Sequence, residues 1–343
     1  MYLYLIIFRT TEKYCQLKID VIICTYNRPE KVIELVYQLG AFSKQFNSII
    51  VVDSSDDILS TFHTDDEIVY LRSPKKNQPY QRYLGYTYSK ADILLFLDDD
   101  MEVANPEFIK IIQNTFHDAT VVGVAINFED KHPDTALAAI PRSALLTGVP
   151  ILKRMVGWMS GYPVLRDGKL GCCGLRGKQP LAGGITEWLS GGAFAARRSA
   201  LFQNFNFQLF DLFEEKLGMG EDAIIGYGLS KRGILLYYPE LLFYHNDQKD
   251  SLYSADHFAY ARRVIFSRLY LSLERTRLNK GNYTIAYLHY HWYVLWRITG
   301  LWLNYLIKKN EGKHKLLIGA YEGWKLAVRF KFDRIARGNN KWT

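Results

Sequence analysis

Ile93-Leu94-Leu95-Phe96-Leu97-Asp98-Asp99-Asp100-Met101-Glu102 is an apolar run that ends abruptly in carboxylates. Five consecutive apolar residues fit a central strand of a parallel sheet, buried on both faces. In open α/β sheets, ligands bind beyond the carboxyl ends of the strands, which is where these acids fall. Three adjacent aspartates repel one another unless a cation offsets their charge. Hard oxygen donors of this kind suit Mg²⁺ or Mn²⁺, shared with substrate phosphates. A solvated loop after a strand fits the same ten residues, so the neighbouring sequence has to decide.

On both sides of this run the chain alternates short apolar stretches with helical ones. Residues 19–24 are strand-like, and Thr25-Tyr26-Asn27-Arg28-Pro29-Glu30 turns into a helix reaching about Leu39. Pro29 suits the first turn of that helix, where a missing N–H costs nothing. Residues 48–52 predict a second strand ending at Asp53, and 68–71 a short third. Helices are predicted over 81–89 and 105–116, and a further strand over 120–126. This is the β-α-β rhythm of a doubly wound, mostly parallel sheet with helices on both faces. Residues 127–187, rich in Gly and Pro with weak periodicity, read as a substrate loop or lid. Gly191-Gly192-Ala193-Phe194 predicts a tight turn where backbone approaches a ligand. Gly220-Glu221-Asp222 opens a helix that runs to Lys231-Arg232 and stops at Gly233, with charges placed as helix ends favour. Residues 234–244 predict a strand broken by Pro239 and ending at His245.

At 343 residues the chain holds one large α/β domain plus an appendage, or two modest domains. Its net charge of +8 is unevenly placed: residues 256–343 carry 17 Lys/Arg and 5 Asp/Glu, so all the excess basicity lies in the C-terminal quarter. A block of that kind implies an anionic surface, or simply a solvated helical tail. Cys15, Cys24, Cys172 and Cys173 show no metal spacing, and the adjacent pair is poorly placed for an ordinary disulfide, which points to a reducing, cytoplasmic setting. The Tyr2-to-Phe8 run is too short to span a bilayer, so residues 1–18 read as a leader or an edge strand.

In chain order the signals are Thr25-Tyr26-Asn27-Arg28; Asp53; Asn77 with Arg82 and Gly85; Asp98-Asp99-Asp100; Gly191-Gly192; Glu221-Asp222; and His245. As an ordered set, over roughly residues 19–247, they resemble the family 2 glycosyltransferases, nucleotide-sugar-dependent enzymes of GT-A fold. The resemblance implies a catalytic domain over 19–250, with a nucleotide-binding half at 19–126 and an acceptor half at 127–250. It implies that Thr25 and Asp53 hold the base and ribose, with Tyr26, Asn27, Arg28, Asn77 and Asp99 lining the nucleotide-sugar site. Asp98 would face the ribose or base, and Asp100 would bind Mn²⁺ or Mg²⁺ bridging the donor diphosphate, with Glu102 at the repeated spacing. Arg82 would fix the nucleotide loop or a phosphate, or lie on a helix surface. Gly191 and Gly192 would lie under the sugar or acceptor, or form a plain turn. Asp222 would be the catalytic base, Glu221 would position acceptor or donor sugar, and His245 would be a third metal ligand or a structural residue. The family inverts configuration, which implies a single displacement. UDP is its default nucleotide. In this chain Pro79 and Arg82-Tyr83 depart from the usual nucleotide loop, and Asp53 is followed by Ser54-Ser55-Asp56-Asp57.

Residues 251–343 form a basic, aromatic, mainly helical extension. Within 283–307 stand eight Tyr and Trp and one full charge, Arg297, followed by Lys308, Lys309, Lys313 and Lys315. Tyr and Trp favour the headgroup level of a bilayer and the lysines suit anionic lipid. The expectation is a peripheral segment at 283–315 on the cytoplasmic membrane face, near a saccharide or lipid-linked acceptor. A helical subdomain packed on the catalytic domain and a true span are the alternatives. Two other functions are weaker. A nucleotidyltransferase wants a Gly-rich triphosphate loop after the first strand, and Thr25-Tyr26-Asn27-Arg28-Pro29 is not one. A nucleotide- or nucleic-acid-binding protein without catalysis leaves both acidic clusters unexplained, and no nucleic acid is expected.

Overall fold

A computed structural model describes residues 17–57, 67–130, 167–246 and 256–330. The predicted leader and much of the predicted lid lie outside these residues. Strands β1 (Ile19–Thr25), β2 (Ser48–Asp53), β3 (Ile68–Arg72) and β4 (Ile93–Asp98) pair in parallel in the order β3-β2-β1-β4. Side chains alternate across a strand, so β1 serves two cores. Ile19, Val21 and Ile23 pack under helices α1 (Pro29–Gly40) and α3 (Phe108–Phe116), whose apolar faces are Val32, Leu35, Val36, Leu39 and Phe108, Ile109, Ile112, Phe116. Ile22 and Cys24 face the opposite core. There helix α2 (Gln78–Tyr88) approaches so closely that a Cβ on Gly85 would come within 2.7 Å of Ile22.

The second half of the sheet runs β4-β8-β6-β9-β5, with β7 (Gly184–Ile185) also on β9. These are β5 (Met101–Val103), β6 (Val121–Asp130), β8 (Ala193–Arg197) and β9 (Ile234–His245). Six strands run one way, and β5, β7 and β8 run against them, so the sheet is mixed but mostly parallel. Two expectations change here. Ala193-Phe194 does not close a turn but begins a central antiparallel strand between β4 and β6. Pro239 does not break its strand: the register with β6 slips there, from Ile126 opposite Tyr238 to Asn127 opposite Leu241. A bulge removes the need for a ladder N–H at proline, and the Asn127 side chain donates to the Pro239 carbonyl at 2.8 Å.

Helices α4 (Gln208–Glu214) and α5 (Glu221–Ser230) join the sheet to three C-terminal helices: α6 (His257–Leu278), α7 (Tyr283–Ile307) and α8 (Glu311–Arg329). The last three start on side-chain caps from Asp256, Asn282 and Asn310. A Cβ on Gly319 or Gly323 would fall 2.3 and 2.5 Å from backbone oxygens of Phe258 and Arg262, so α8 lies directly against α6. The helix α7 is two-faced. Ala286, Tyr290, Tyr293, Val294 and Leu301 are buried in this third core, while Ile285, Leu288, Trp292, Leu295, Trp302 and Leu306 are exposed. At about 100° per residue the two sets fall on opposite sides. Part of the aromatic content of 283–307 is therefore core. Among the described residues, no helix is long and apolar enough to cross a membrane.

Candidate active site

The carboxyl ends of β1, β2 and β4 bring the first set of predicted residues together. β4 ends at Asp98, and the chain turns through Asp99 and Asp100 into β5, whose Met101 pairs with His245 of β9. That pairing carries His245 Nε2 to 3.3 Å from Asp100 Oδ1. Arg28, at the entry to α1, donates to Asp100 Oδ2 at 2.8 Å and to Asp99 Oδ1 at 3.3 Å. Thr25, the last residue of β1, donates its hydroxyl to Asp99 Oδ2 at 2.8 Å. Burial pushes Asp99 up to about 6, the Asp100 charge adding to it while Thr25 and Arg28 oppose. Burial acts upward on Asp100 too, but His245, Arg28 and Lys31 outweigh it and hold that carboxyl below its ordinary value. Lys31, Asp99, Asp100, Glu102 and Asn246 line a cleft beside these groups.

Arg82 is no surface residue. Only 1% exposed, it reaches from α2 to donate to Asp98 Oδ1 at 3.0 Å, Glu221 Oε1 at 2.8 Å and the Gly191 carbonyl at 2.8 Å, with its guanidinium 5.4 Å above the Phe194 ring. One cation thus ties the Asp98–Asp100 loop to the start of α5. Asp98 also accepts from Gln78 at 2.6 Å. Burial raises Asp98 to about 7 despite Arg82, with Asp100 and Asp99 adding to the rise. Burial likewise raises Glu221, again against Arg82.

Asp222 follows Glu221 in the first turn of α5, which opens on Gly220 at φ 82°. Its Oδ2 accepts from Arg176 at 2.8 Å, and that guanidinium lies 5.0 Å over the Trp188 ring. Neither Arg176 nor Trp188 falls in a motif: Arg176 stands in the irregular segment 127–187 and Trp188 just after it. Gly191 lies beside Asp222, where a Cβ would come 3.7 Å from Oδ2. Gly192 has a packing reason: a Cβ there would meet Met101 and Phe128, and its carbonyl accepts from Asp98 N at 2.9 Å.

The remaining predicted nucleotide-site residues stand just after β1, at the end of β2 and at the start of α2. Asp53 is fully buried, accepting from Arg72 at 2.8 Å and from the Tyr70 and Ser55 hydroxyls. Asn77 caps α2 through Tyr80 N at 3.1 Å and donates to the Phe210 carbonyl at 2.7 Å. Asn27, at φ 53°, exchanges hydrogen bonds with Asp56 at 2.9 and 3.0 Å, and Tyr26 lies under Lys76 at 5.4 Å. Gln81, also unread in sequence, clamps the ends of β1 and β2 by donating to the Thr25 and Val52 carbonyls at 2.8 and 2.7 Å.

The residues present fit a divalent cation. Asp100 Oδ1 is buried without a hydrogen bond of ordinary geometry, and it faces the His245 imidazole. A carboxylate and an imidazole suit Mn²⁺, with other positions left for substrate oxygens. Charge agrees: Asp98, Asp99, Asp100, Glu221 and Asp222, when ionised, outnumber the cations Arg28, Lys31, Arg82 and Arg176 that face them among the described residues. Among the described residues no three His, Cys, Asp or Glu side chains converge into a metal cage, so substrate would have to complete the shell.

Residues 20–165 match the model of glycosyl transferase family 2. The match takes in the first of the motifs, from Thr25 to Asp98–Asp100, and it is to the same family that the ordered set of motifs resembles. No curated protein matches the chain. Among solved structures, S. aureus TarS aligns over 91% of this chain and 81% of its own, with a TM-score of 0.50 at 13% identity, which shows the shared GT-A fold. The mannosyltransferase PcManGT from Pyrobaculum calidifontis, in complex with GDP-Man and Mn²⁺, aligns over 93% of this chain and 88% of its own at 12% identity and a TM-score of 0.46. For GalNAc-T7 with UDP, GalNAc and Mn²⁺ the figures are 14% identity, a TM-score of 0.45 and 80% of this chain, which spans only 56% of that one.

Proposed function

We propose that the chain is a metal-dependent, inverting glycosyltransferase that moves a sugar from a nucleoside-diphosphate donor, most simply a UDP-sugar, to a hydroxyl of a saccharide or lipid-linked acceptor in surface glycan assembly. One observation carries this reading: Arg82 bridges the Asp98–Asp100 loop to Glu221-Asp222, so a cation-binding pair and a carboxylate base border one site. Asp100 and His245 would hold Mn²⁺ or Mg²⁺, whose charge offsets that of the departing diphosphate. Thr25, Tyr26, Asn27, Arg28 and Asp99 lie nearest the donor side, with Asp53 and Asn77 supporting them from beneath. Gly191 leaves room beside the base, and Gly192 sets the closeness of the loop. Asp222 takes the proton of the attacking hydroxyl as its oxygen bonds the anomeric carbon and the bond to diphosphate breaks. Glu221, held by Arg82, would position the acceptor or the donor sugar. A panel of UDP-, dTDP- and GDP-sugars, with and without Mn²⁺ or Mg²⁺, tests the reading by release of nucleoside diphosphate. Metal-dependent release from one donor is expected; no release together with no metal-dependent nucleotide binding by calorimetry overturns it.

The outward face of α7 supports a second element of the reading, a cytoplasmic enzyme docked peripherally on anionic lipid. Its exposed Ile285, Leu288, Trp292, Leu295, Trp302 and Leu306 end at the exposed pair Lys308 and Lys309, within the basic quarter of the chain. Apolar side chains flanked by lysines match an acidic bilayer surface. Co-sedimentation with phosphatidylglycerol vesicles, lost in a Trp292→Ser/Trp302→Ser variant, is the expected result, and equal recovery in the supernatant with and without vesicles refutes it.

A further inference from the structure

Arg176 is held in place far more firmly than a surface arginine. Its segment is tied to α6: Arg268 Nη1 donates to the Gly174 carbonyl at 2.6 Å, Arg275 Nε to the Leu170 carbonyl at 2.9 Å, and the Ser272 hydroxyl to the Cys172 carbonyl. Gly174, at φ 75°, abuts α6 so tightly that a Cβ would lie 2.5 Å from the Arg268 carbonyl oxygen. The guanidinium is thereby laid on Trp188 with one edge on Asp222, and its side chain remains 32% exposed against 9% for Asp222.

This arrangement creates a charge problem for the base. When Asp222 accepts a proton it becomes neutral, and Arg176 loses its carboxylate partner. Glu221 offers no relief, because Arg82 already engages it. Arg176, about one-third exposed, is then left with its charge unmatched beside a nearly buried neutral carboxyl. An anionic group arriving beside the accepting hydroxyl would take over the open edge of Arg176, and it would release Asp222 at the moment its basicity is needed. Guanidinium is suited to that exchange, since its fork matches carboxylate and phosphate oxygens.

We propose that Arg176 is an acceptor-binding residue and that the acceptor carries an oxyanion, a phosphate or carboxylate, next to the hydroxyl that receives the sugar. The proposal rests on Asp222 being the base. Its test needs no turnover: calorimetric titration of the full chain with glycerol 1-phosphate, and with glycerol as the neutral control. The phosphate ester is expected to bind wild type and to bind Arg176→Gln at least tenfold more weakly. It is expected to bind Asp222→Asn several-fold more tightly, because the competing carboxylate is gone. A purely structural arginine does not produce that tightening. Melting curves show whether each variant is folded, and Arg176→Lys, which keeps the charge, is expected to recover part of the affinity. Equal binding by wild type and Arg176→Gln overturns the proposal, as does unchanged or weaker binding by Asp222→Asn. It is also overturned if UDP displaces glycerol 1-phosphate and itself binds Arg176→Gln more weakly, since Arg176 would then serve the donor diphosphate. Failure of the donor panel with this pattern intact would sink the transferase reading and leave the anion site standing.

Discussion

The two sides of the site are built by different means. On the side proposed to hold the donor, Thr25, Asp53 and Asp98 stand at the ends of three adjacent parallel strands, and their positions follow from strand register alone. On the side proposed for the acceptor, Asp222 stands in the first turn of a helix, and its partner Arg176 comes from a loop fixed to α6. A strand end is rigid because its neighbours pair on both sides, and the apolar run before it marks its position in the sequence. A helix start facing a loop depends on packing contacts among residues distant in the chain. Catalytic geometry on the acceptor side should therefore be easier to disturb from outside the site.

Asp222→Asn gives the largest expected effect. It preserves shape and removes the proton acceptor, so transfer should fall by about 10²–10⁴-fold. Donor binding, which belongs to the other side, should be unchanged in a nucleotide titration. Weakened donor binding would mean that the two sides are not separable.

Next comes the bridge between them. Arg82→Met leaves Asp98 and Glu221 buried without their cation and should cost about 3–5 kcal/mol of stability. Arg28→Met removes a half-exposed partner of Asp99 and Asp100 and should cost no more than about 1 kcal/mol. Denaturant titration of the two variants compares them directly, and similar losses would deny Arg82 its special place.

The same contrast explains what could be read in advance. The run 93–97 gave away β4, the alternation of apolar and helical stretches gave away α1 and α3, and the aromatic, nearly uncharged stretch 283–307 has the bounds of α7. Ala193–Arg197 was hidden: two glycines before it mimic a turn, and only its place between β4 and β6 makes it a strand. Pro239 argued for a break because a bulge depends on the partner strand and leaves no mark of its own. In the site, acids were legible by clustering, whereas Arg176 and Gln81 carry no motif and acquire their roles only when distant segments meet. Arg82 was found, but its burial and its bridge to Glu221 were not legible, since nothing local says that a helix arginine is buried.

Two glycines of α5 measure how tightly the acceptor side is packed. A Cβ on Gly226 would fall 2.6 Å from Leu189 N and 2.8 Å from Trp188 Cα, both backbone atoms, whereas nothing lies within 4 Å of one on Gly228. Gly226→Ala should therefore destabilise by about 1–3 kcal/mol through overpacking. It should also shift Trp188 beneath Arg176 and slow transfer. Gly228→Ala should stabilise by up to about 1 kcal/mol, as expected for glycine replaced within a helix. Melting temperatures and transfer rates of the pair separate the two, and parallel behaviour would show that α5 is not seated as described.

The smallest expected effect lies farthest from both sides, where α7 meets α8. Trp324 Nε1 donates to His291 Nδ1 at 3.0 Å, and an indole nitrogen can only donate, so Nδ1 must be unprotonated. Burial holds the His291 pKa below its ordinary value. The folded state thus binds the proton less readily than the unfolded chain does. The stabilisation is present above the unfolded value of about 6.5 and is lost as pH falls through it. Lowering pH from 7.5 to 5 should loosen the α7–α8 contact first, read as faster amide exchange in those helices than in β1 or β4. His291→Phe removes the titrating group and should flatten that pH dependence. A variant that retains the wild-type profile would trace the acid sensitivity to the buried carboxylates of the site instead.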